Sequence, residues 1–178
     1  MSIHHLREPE KVKLIVALTF SDMDAFDEAK AKLVAGYGVF ESESSIFPFD
    51  HTDYYQKEMG EGLRKQFLAF KRLYAIDCFI ELKLLSLRLE TEYTHEGKRT
   101  VNIDPGYLEL SKVVLASTKN FDHRIHIDKG IYGDIQLRYR KGQFVPFDWT
   151  YPDYRAKLVL DFFHAVRKTY ASQLKQDQ

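Results

Sequence analysis

The chain has 178 residues, of which 44% are hydrophobic and 29% are charged, and its 26 Lys and Arg residues equal its 26 Asp and Glu residues. This composition excludes a disordered chain, and the balanced charge excludes a global field that would attract nucleic acid or an anionic membrane. The single cysteine excludes an internal disulfide and a Cys-rich zinc site. No secretory signal or membrane-length apolar run is visible. We therefore expect one cytoplasmic domain over residues 1–178, with mobile ends at 1–10 and 173–178, and no membrane partner.

The chain begins with the pattern of a buried strand followed by a helix. Val12–Phe20 is a β-rich apolar run of the length expected for a central strand. Ser21 and Asp24 have the spacing of a capping box, which predicts that Ser21 caps the next helix. Apolar residues then recur at helical spacing as far as Tyr37, and a glycine at 36 or 38 ends the pattern.

The following segments predict a ferredoxin-like arrangement. Loose alternation over residues 39–59 predicts two strands joined within 50–53, and residues 63–70 predict another strand. Residues 75–93 are long and rich in Leu, Glu, Lys and Arg, which favours a buried helix. Residues 99–103 predict a short strand that ends in a tight turn at Asp104, Pro105 and Gly106. The order βαββ(β)αβ indicates an α+β fold of the split βαβ type.

The second half of the chain predicts β-hairpins that extend this sheet. Residues 110–117 fit a short helix or a strand, and residues 123–128 alternate as a strand with Ile125 and Ile127 towards the core. A three-residue turn over 128–130 places Arg124 opposite Asp134, His126 opposite Tyr132, and Ile127 opposite Ile131. A second turn at 141–142 leads to an edge strand over 144–147.

The chain ends in the pattern of an amphipathic helix. Thr150 and Asp153 again have capping-box spacing, with Pro152 in the predicted first turn. Leu158 and the apolar residues that follow it at helical spacing predict a buried face. We therefore predict a ferredoxin-like βαββαβ-type sheet, extended by C-terminal β-hairpins and a terminal amphipathic helix.

Cationic, imidazole and phenol side chains are concentrated around the first predicted hairpin. Such groups bind a phosphate or a carboxylate through charge-assisted hydrogen bonds from several directions. The alternative is a solvated sheet face on which Arg124 pairs with Asp134 across the strands, and the sequence supports both interpretations equally. The candidate ligand-binding residues are Lys119, His123, Arg124, Tyr132, Arg138, Asp104 and Tyr107.

Several stretches resemble a small bacterial and archaeal family that is catalogued as a domain of unknown function. The stretches are NIDPGYL, STKNFDHRI, GIYGDIQLRYRKGQF and WTYPDYR, together with KLIVALTFSD and TDYYQKEMG earlier in the chain. Members of this family often have Asp where this chain has Asn120, usually have Glu where it has Asp134, and have no acid at Asp148. The resemblance therefore favours Asp134 over Asn120 and Asp148 as a functional group.

Some members of that family carry an automatic GTP-binding label, which the residues do not support. No phosphate-binding loop of the form G-x-x-x-x-G-K-[ST] occurs, and no Gly-rich strand-to-helix turn replaces it. No metal-ligand spacing is present either, so we expect no metal and no cofactor. Our first hypothesis is a binding protein for a small anionic ligand, such as a nucleotide or a phosphorylated metabolite.

Two alternatives remain from the sequence. The chain could be a phosphate-ester hydrolase, with His123 or His126 as the acid-base group, Asp134 as a further catalytic candidate, and Lys119 and Arg124 stabilising developing charge. It could also contact RNA through Trp149, Tyr151 and Tyr154 beside Arg155. The sequence decides neither whether a reaction is catalysed nor the oligomeric state.

Overall fold

The computed structural model describes residues 8–50 and 57–176. Its helices and strands follow one another in this order: β1 (Val12–Phe20), α1 (Met23–Tyr37), β2 (Phe40–Glu43), β3 (Phe47–Pro48), β4 (Arg64–Tyr74), α2 (Cys78–Glu92), β5 (Thr94–His95), β6 (Lys98–Arg99), β7 (Val101–Leu108), β8 (Lys112–Ser117), β9 (Arg124–Asp128), β10 (Ile131–Arg140), β11 (Gln143–Pro146), a 3-10 turn (Pro152–Arg155) and α3 (Lys157–Gln176).

The main sheet has a ferredoxin-like half and an extension. The strand order β7-β1-β4-β2, with every neighbouring pair antiparallel, is the order of a split βαβ arrangement. On the β7 side the sheet continues through β8 to β10, whose outer edge pairs with β9 along one half and with β11 along the other. The predicted α+β class, with a hairpin extension and a C-terminal helix, is confirmed.

Helices cover both faces of β1, which explains why apolar residues occur on both of its faces. Leu14 and Val16 belong to the core under α1 and α2, whereas Ile15 and Ala17 belong to the core under α3. Successive side chains of a strand point to opposite faces, so a strand between two helical layers has no polar face. All nine residues of β1 are buried.

Two local predictions in the first half are wrong. The cap of α1 is Asp22, whose Oδ1 accepts a hydrogen bond from the Ala25 amide at 3.0 Å, because a carboxylate also interacts favourably with the helix dipole. Residues 57–59 are helical, although they were predicted as part of a strand. The strand connection predicted within 50–53 lies outside the described residues except for Asp50.

The turn predicted at Asp104, Pro105 and Gly106 is wrong, because these residues continue β7. Pro105 is opposite Val16 of β1, and pairing with β8 begins only at Gly106. The Ile103 amide points to the β8 side, where it donates to Glu90 Oε1 at 2.6 Å. Backbone groups two residues apart in a strand face the same side, so the N–H that Pro105 lacks would also face β8. Because β8 does not pair with β7 at this position, the proline removes no strand hydrogen bond.

The first hairpin is partly as predicted. Arg124 is opposite Asp134, and His126 is opposite Tyr132. However, Ile131 pairs with Asp128, because the turn contains two residues, Lys129 and Gly130, which both have positive φ. The segment over 110–117, for which helix and strand both remained open, forms the strand β8.

The inward orientation predicted for two isoleucines is also wrong. Ile125 is 68% exposed and Ile127 is 47% exposed. Their strand β9 lies at the outer edge of β10, and neither residue belongs to the apolar clusters under the helices. The apolar alternation of β9 therefore has no covering layer.

The C-terminal helix is confirmed as amphipathic, but its start differs from the prediction. Thr150 does not cap a helix: its hydroxyl donates to the Gln136 carbonyl at 2.5 Å, and α3 begins only at Lys157 after the 3-10 turn. Leu158 is 42% exposed, outside the buried face. The helix continues to Gln176, beyond the point where a mobile end was expected. No helix among the described residues is long and apolar enough to cross a membrane.

Candidate functional site

A cleft opens where β7 and β8 separate. The two strands pair from Gly106 to Leu108, with Gly106 opposite Leu115. Beyond that pair, β8 continues to Ser117 along β10, whereas the earlier part of β7 follows β1. The gap between them is a cavity of about 320 Å³, within the range of small-ligand sites.

Gly106 allows the close approach from which the two strands diverge. A Cβ atom at this position would lie 2.2 Å from the Val114 carbonyl oxygen. Such a distance is impossible without a backbone shift, so only glycine fits here. The position of the cleft is therefore set by the residue that was first interpreted as part of a turn.

Helix α2 contributes a charged wall to this cleft. Glu90 is buried, and its carboxylate accepts from the Ile103 amide at 2.6 Å and from Arg99 Nη1 at 2.9 Å. Burial raises the pKa of Glu90, and the positive charges of Lys83 and Arg99 oppose this rise. The Glu90 carboxylate thus takes the place of the missing strand partner of β7.

Lys83 lines the same cleft from α2, and its environment differs from that of the other buried lysines. Lys13 forms an ion pair with Glu41 at 2.5 Å, and Lys65 forms one with Asp153 at 2.7 Å. Lys83 is only 6% exposed, yet it makes no hydrogen bond or ion pair with any residue in 8–50 or 57–176. Burying most of a lysine side chain without a partner for its charge is costly, and none of the described residues supplies that partner.

Arg124 lies in the opposite wall of the cleft, and most of its hydrogen-bond donors are used by other residues. Its Nε donates to Asp134 Oδ2 at 2.7 Å, and its Nη2 donates to the Tyr151 hydroxyl at 2.7 Å. Its Nη1 donates to Ser117 Oγ at 2.9 Å and to the Lys119 carbonyl at 3.0 Å. Four of the five guanidinium N–H groups are therefore engaged, which indicates a clamp that joins three segments of chain.

Asp134 is the buried centre of the hydrogen bonds on that wall. It is 1% exposed, and Gln136 Nε2 donates to its Oδ1 at 2.7 Å. His123 Nε2 lies 3.7 Å from the same oxygen. Gln136 in turn accepts from the Tyr151 amide at 2.9 Å, so the network fixes Tyr151 at the mouth of the cleft.

The structure gathers some of the predicted site residues and separates others. Lys119, Arg124, Asp104 and Asp134 line the cleft, and His123 lies next to Asp134 without lining it. His126 is exposed and contacts the Tyr132 ring edge-on. Tyr107 packs edge-on against Phe79 in the core, and Arg138 lies over the Phe147 ring. The predicted site residues that do not line the cleft are His123, His126, Tyr132, Arg138 and Tyr107.

A row of rings borders the cleft on the Arg124 side. Phe121, His123, Trp149 and Phe147 follow one another with centroid separations of 6.1, 5.1 and 4.7 Å and nearly parallel planes. Trp149 is fixed by a hydrogen bond from Nε1 to the Ile135 carbonyl at 2.8 Å. We call these four residues the ring row. Because Phe121 is 53% and Trp149 39% exposed, the row offers aromatic surface to solvent.

Lys83 and Glu90 of α2 and Asn102 of β7 were not predicted as site residues. Lys83 and Glu90 were interpreted as part of a buried helix, although their separation by two helical turns places both charges on one face of it. Asn102 was not considered because the Asp104 turn was expected. Its Nδ2 donates to Asp104 Oδ2 at 2.7 Å.

A metal centre is not indicated at this site. Within residues 8–50 and 57–176, no group of three or more His, Cys, Asp and Glu side chains could hold a metal ion. The carboxylates of the cleft instead pair with cations or amides: Glu90 with Arg99, and Asp134 with Arg124. The chemistry that the cleft offers is polar recognition by side chains.

Fold and cleft together define an α+β protein with an extended ferredoxin-like sheet and a mixed-charge cleft between two of its strands. The chain belongs to the family described as Domain of unknown function (DUF4416), whose model matches residues 10–170. This match confirms the family resemblance found in the sequence. No curated protein and no solved structure matches the chain.

Proposed function

We propose that this protein binds a small anionic ligand, such as a nucleotide or a phosphorylated metabolite, in the cleft between β7 and β8. The observation that carries the proposal is the Lys83 side chain, which is 6% exposed and lines the cleft without a hydrogen bond or ion pair to any described residue. An anion that entered the cleft would compensate this charge in a largely dehydrated place. Binding energy would then come from a charge that forms no ion pair with the described residues.

The surrounding charges support this assignment. Arg99 is matched by Glu58 and Glu90, and Arg124 is matched by Asp134, so these two cations mainly hold the walls. Lys119 stands at the exposed rim, where a lysine can attract an anion from solution. The anion would therefore contact Lys83 at depth, with Lys119 nearer to the entrance.

Isothermal titration calorimetry with inorganic phosphate and a panel of phosphorylated metabolites tests the proposal. Lys83→Met keeps the length of the side chain and removes its charge, so we expect at least a tenfold loss of affinity for every anion that binds. Lys168→Met, which changes an exposed lysine on α3, is the matched control and should bind as the wild type does. Equal binding by Lys83→Met and the wild type would refute the proposal.

A phosphate-ester hydrolase is a second candidate, because His123 Nε2 lies 3.7 Å from an oxygen of Asp134, which lines the cleft. A carboxylate beside an imidazole can orient it for acid-base catalysis. Turnover of p-nitrophenyl phosphate that is lost in His123→Gln and kept in His126→Gln would support a hydrolase. If the wild type does not turn over p-nitrophenyl phosphate under conditions where it binds phosphate, the hydrolase is refuted and ligand binding remains the proposed function.

A further inference from the structure

We infer that the ligand of this cleft is the phosphate ester of a sugar, with its hydroxyl groups held by Asp104. The inference rests on the proposed function and specifies the class of ligand. One cavity contains two contrasting groups: Lys83 offers a positive charge without an ion pair to a described residue, and Asp104 offers an acceptor. Asp104 Oδ2 accepts from Asn102, whereas its Oδ1 makes no hydrogen bond or ion pair with any residue in the described ranges.

Asp104 is held in place by the sheet. It lies within β7 opposite Ala17 of the fully buried β1, and the Asn102 amide holds its carboxylate at 2.7 Å. A carboxylate on a fixed strand is a preorganised acceptor, and it can accept hydrogen bonds but not donate them when ionised. The ligand group that binds the Asp104 carboxylate must therefore be a hydrogen-bond donor, such as a hydroxyl.

A bare phosphate does not match this arrangement. It would satisfy Lys83, but it offers few donors to Asp104, which lines the same cavity and carries a charge of the same sign. A molecule with a phosphate at one end and hydroxyl groups along its length matches both the cation and the acceptor. Polyhydroxylated phosphate esters are the simplest ligands with this pattern of charge and donors.

The residues that line the cavity also limit which chemical groups the ligand can place inside it. Leu87, Leu115 and Ala116 are the aliphatic residues that line the cavity, Tyr151 adds a phenol ring, and the other lining residues are polar or charged. This surface suits a hydroxylated carbon chain better than an aromatic ring. A nucleobase would instead have to lie outside, where the ring row begins with Phe121 beneath the Arg124 guanidinium, 4.6 Å from the ring centroid.

Two sources share the sugar phosphate chemistry, a free sugar phosphate and the sugar phosphate part of a nucleotide. Calorimetric titrations with inorganic phosphate, ribose 5-phosphate and adenosine 5'-monophosphate separate them. We expect the wild type to bind ribose 5-phosphate more tightly than inorganic phosphate. Asp104→Asn keeps an acceptor for Asn102 and removes the charge. It should therefore lower the affinity for ribose 5-phosphate about tenfold, while the affinity for inorganic phosphate stays equal or increases.

Equal effects of Asp104→Asn on ribose 5-phosphate and inorganic phosphate would overturn the inference and leave anion binding intact. Binding of none of the three probes would overturn the proposed function itself. Circular dichroism and thermal unfolding of Asp104→Asn exclude a loss of fold as the cause.

Phe121→Ala then identifies the source. If adenosine 5'-monophosphate binds more tightly than ribose 5-phosphate and this advantage disappears in Phe121→Ala, the sugar phosphate belongs to a nucleotide whose base lies on the ring row. If the two ligands bind equally and Phe121→Ala changes neither, the ligand is a free sugar phosphate. Both results support the sugar phosphate assignment, because both require ribose 5-phosphate to bind through Asp104.

Discussion

Lys83 and Glu90 face the same cleft from one helix, two turns apart, and only one of them is matched by a partner. Glu90 holds Arg99 and the Ile103 amide, whereas Lys83 makes no hydrogen bond or ion pair with a described residue. The two charges still influence each other: burial raises the pKa of Glu90, and Lys83 opposes that rise. The same kind of substitution should therefore change the stability of the protein by different amounts, depending on whether the replaced residue has a partner.

The first prediction compares two buried lysines. Lys83→Met should leave the free energy of unfolding unchanged or raise it by up to about 2 kcal/mol, because it removes the charge of a largely buried side chain that has no ion pair with a described residue. Lys65→Met should lower it by about 3 to 5 kcal/mol, because it leaves Asp153 buried and unpaired. Urea unfolding at neutral pH measures both. A large destabilisation by Lys83→Met would mean that the lysine supports the fold.

The second prediction concerns the pH dependence of stability. Burial raises the pKa of Glu90 above its ordinary value of 4.5, with Lys83 and Arg99 opposing and Asp104 adding to the rise. The folded state therefore binds this proton more tightly than the unfolded chain does. The resulting contribution to stability is present at low pH and is lost as the pH rises through the raised pKa.

Glu90→Gln lacks this titration and keeps an oxygen that can accept from the Ile103 amide. The free energy of unfolding of Glu90→Gln, relative to the wild type, should therefore increase as the pH is raised from about 4.5 to about 7. Urea unfolding of both proteins across this range measures the difference. A relative stability that falls with pH would show that Arg99 outweighs burial.

The third prediction concerns Arg124, which the sequence suggested as a ligand-binding cation. Because its N–H groups hold Asp134, Ser117 and Tyr151, Arg124→Ala should destabilise the protein by about 3 to 5 kcal/mol. Lys119→Ala, at the exposed rim, should change stability by no more than about 0.5 kcal/mol. Thermal and urea unfolding of the two variants decide whether Arg124 is a structural clamp. Wild-type stability in Arg124→Ala would refute that role.

The fourth prediction concerns the glycine from which β7 and β8 diverge. Gly106→Ala should destabilise the protein by at least about 2 kcal/mol, because the new Cβ would lie 2.2 Å from the Val114 carbonyl oxygen. Gly133→Ala is the control, since its Cβ would meet Ile127 at an ordinary contact distance of 3.4 Å. Similar unfolding midpoints for the two variants would show that the strands can separate at little cost.

The sequence predicted the elements whose pattern is local and repeated. β1 is a continuous apolar run because helices cover both of its faces, and α3 shows a clear helical period because one face is buried. The pairing of Arg124 with Asp134 followed from the position of the turn, even though that turn has two residues instead of three. These predictions needed no knowledge of distant contacts.

The cleft could not be predicted, because it depends on contacts between distant parts of the chain. Pro105 and Gly106 are typical turn residues, and only the end of pairing with β8 explains why they fit within a strand. Glu90 takes part in the site because its helix packs over β7, which brings its carboxylate to the Ile103 amide. Ile125 and Ile127 looked like core residues because alternation does not reveal whether a layer covers them.

The central position of β1 has a consequence for synthesis of the protein. Among the described strands β1 is synthesised first, but its two neighbours are β4, which ends at Tyr74, and β7, which ends at Leu108. Nine buried residues must therefore stay without strand partners until much of the chain has been translated. An apolar strand that waits for its partners is a site where chains can associate wrongly, so the long separation of β1 from β4 and β7 is a point of risk during folding.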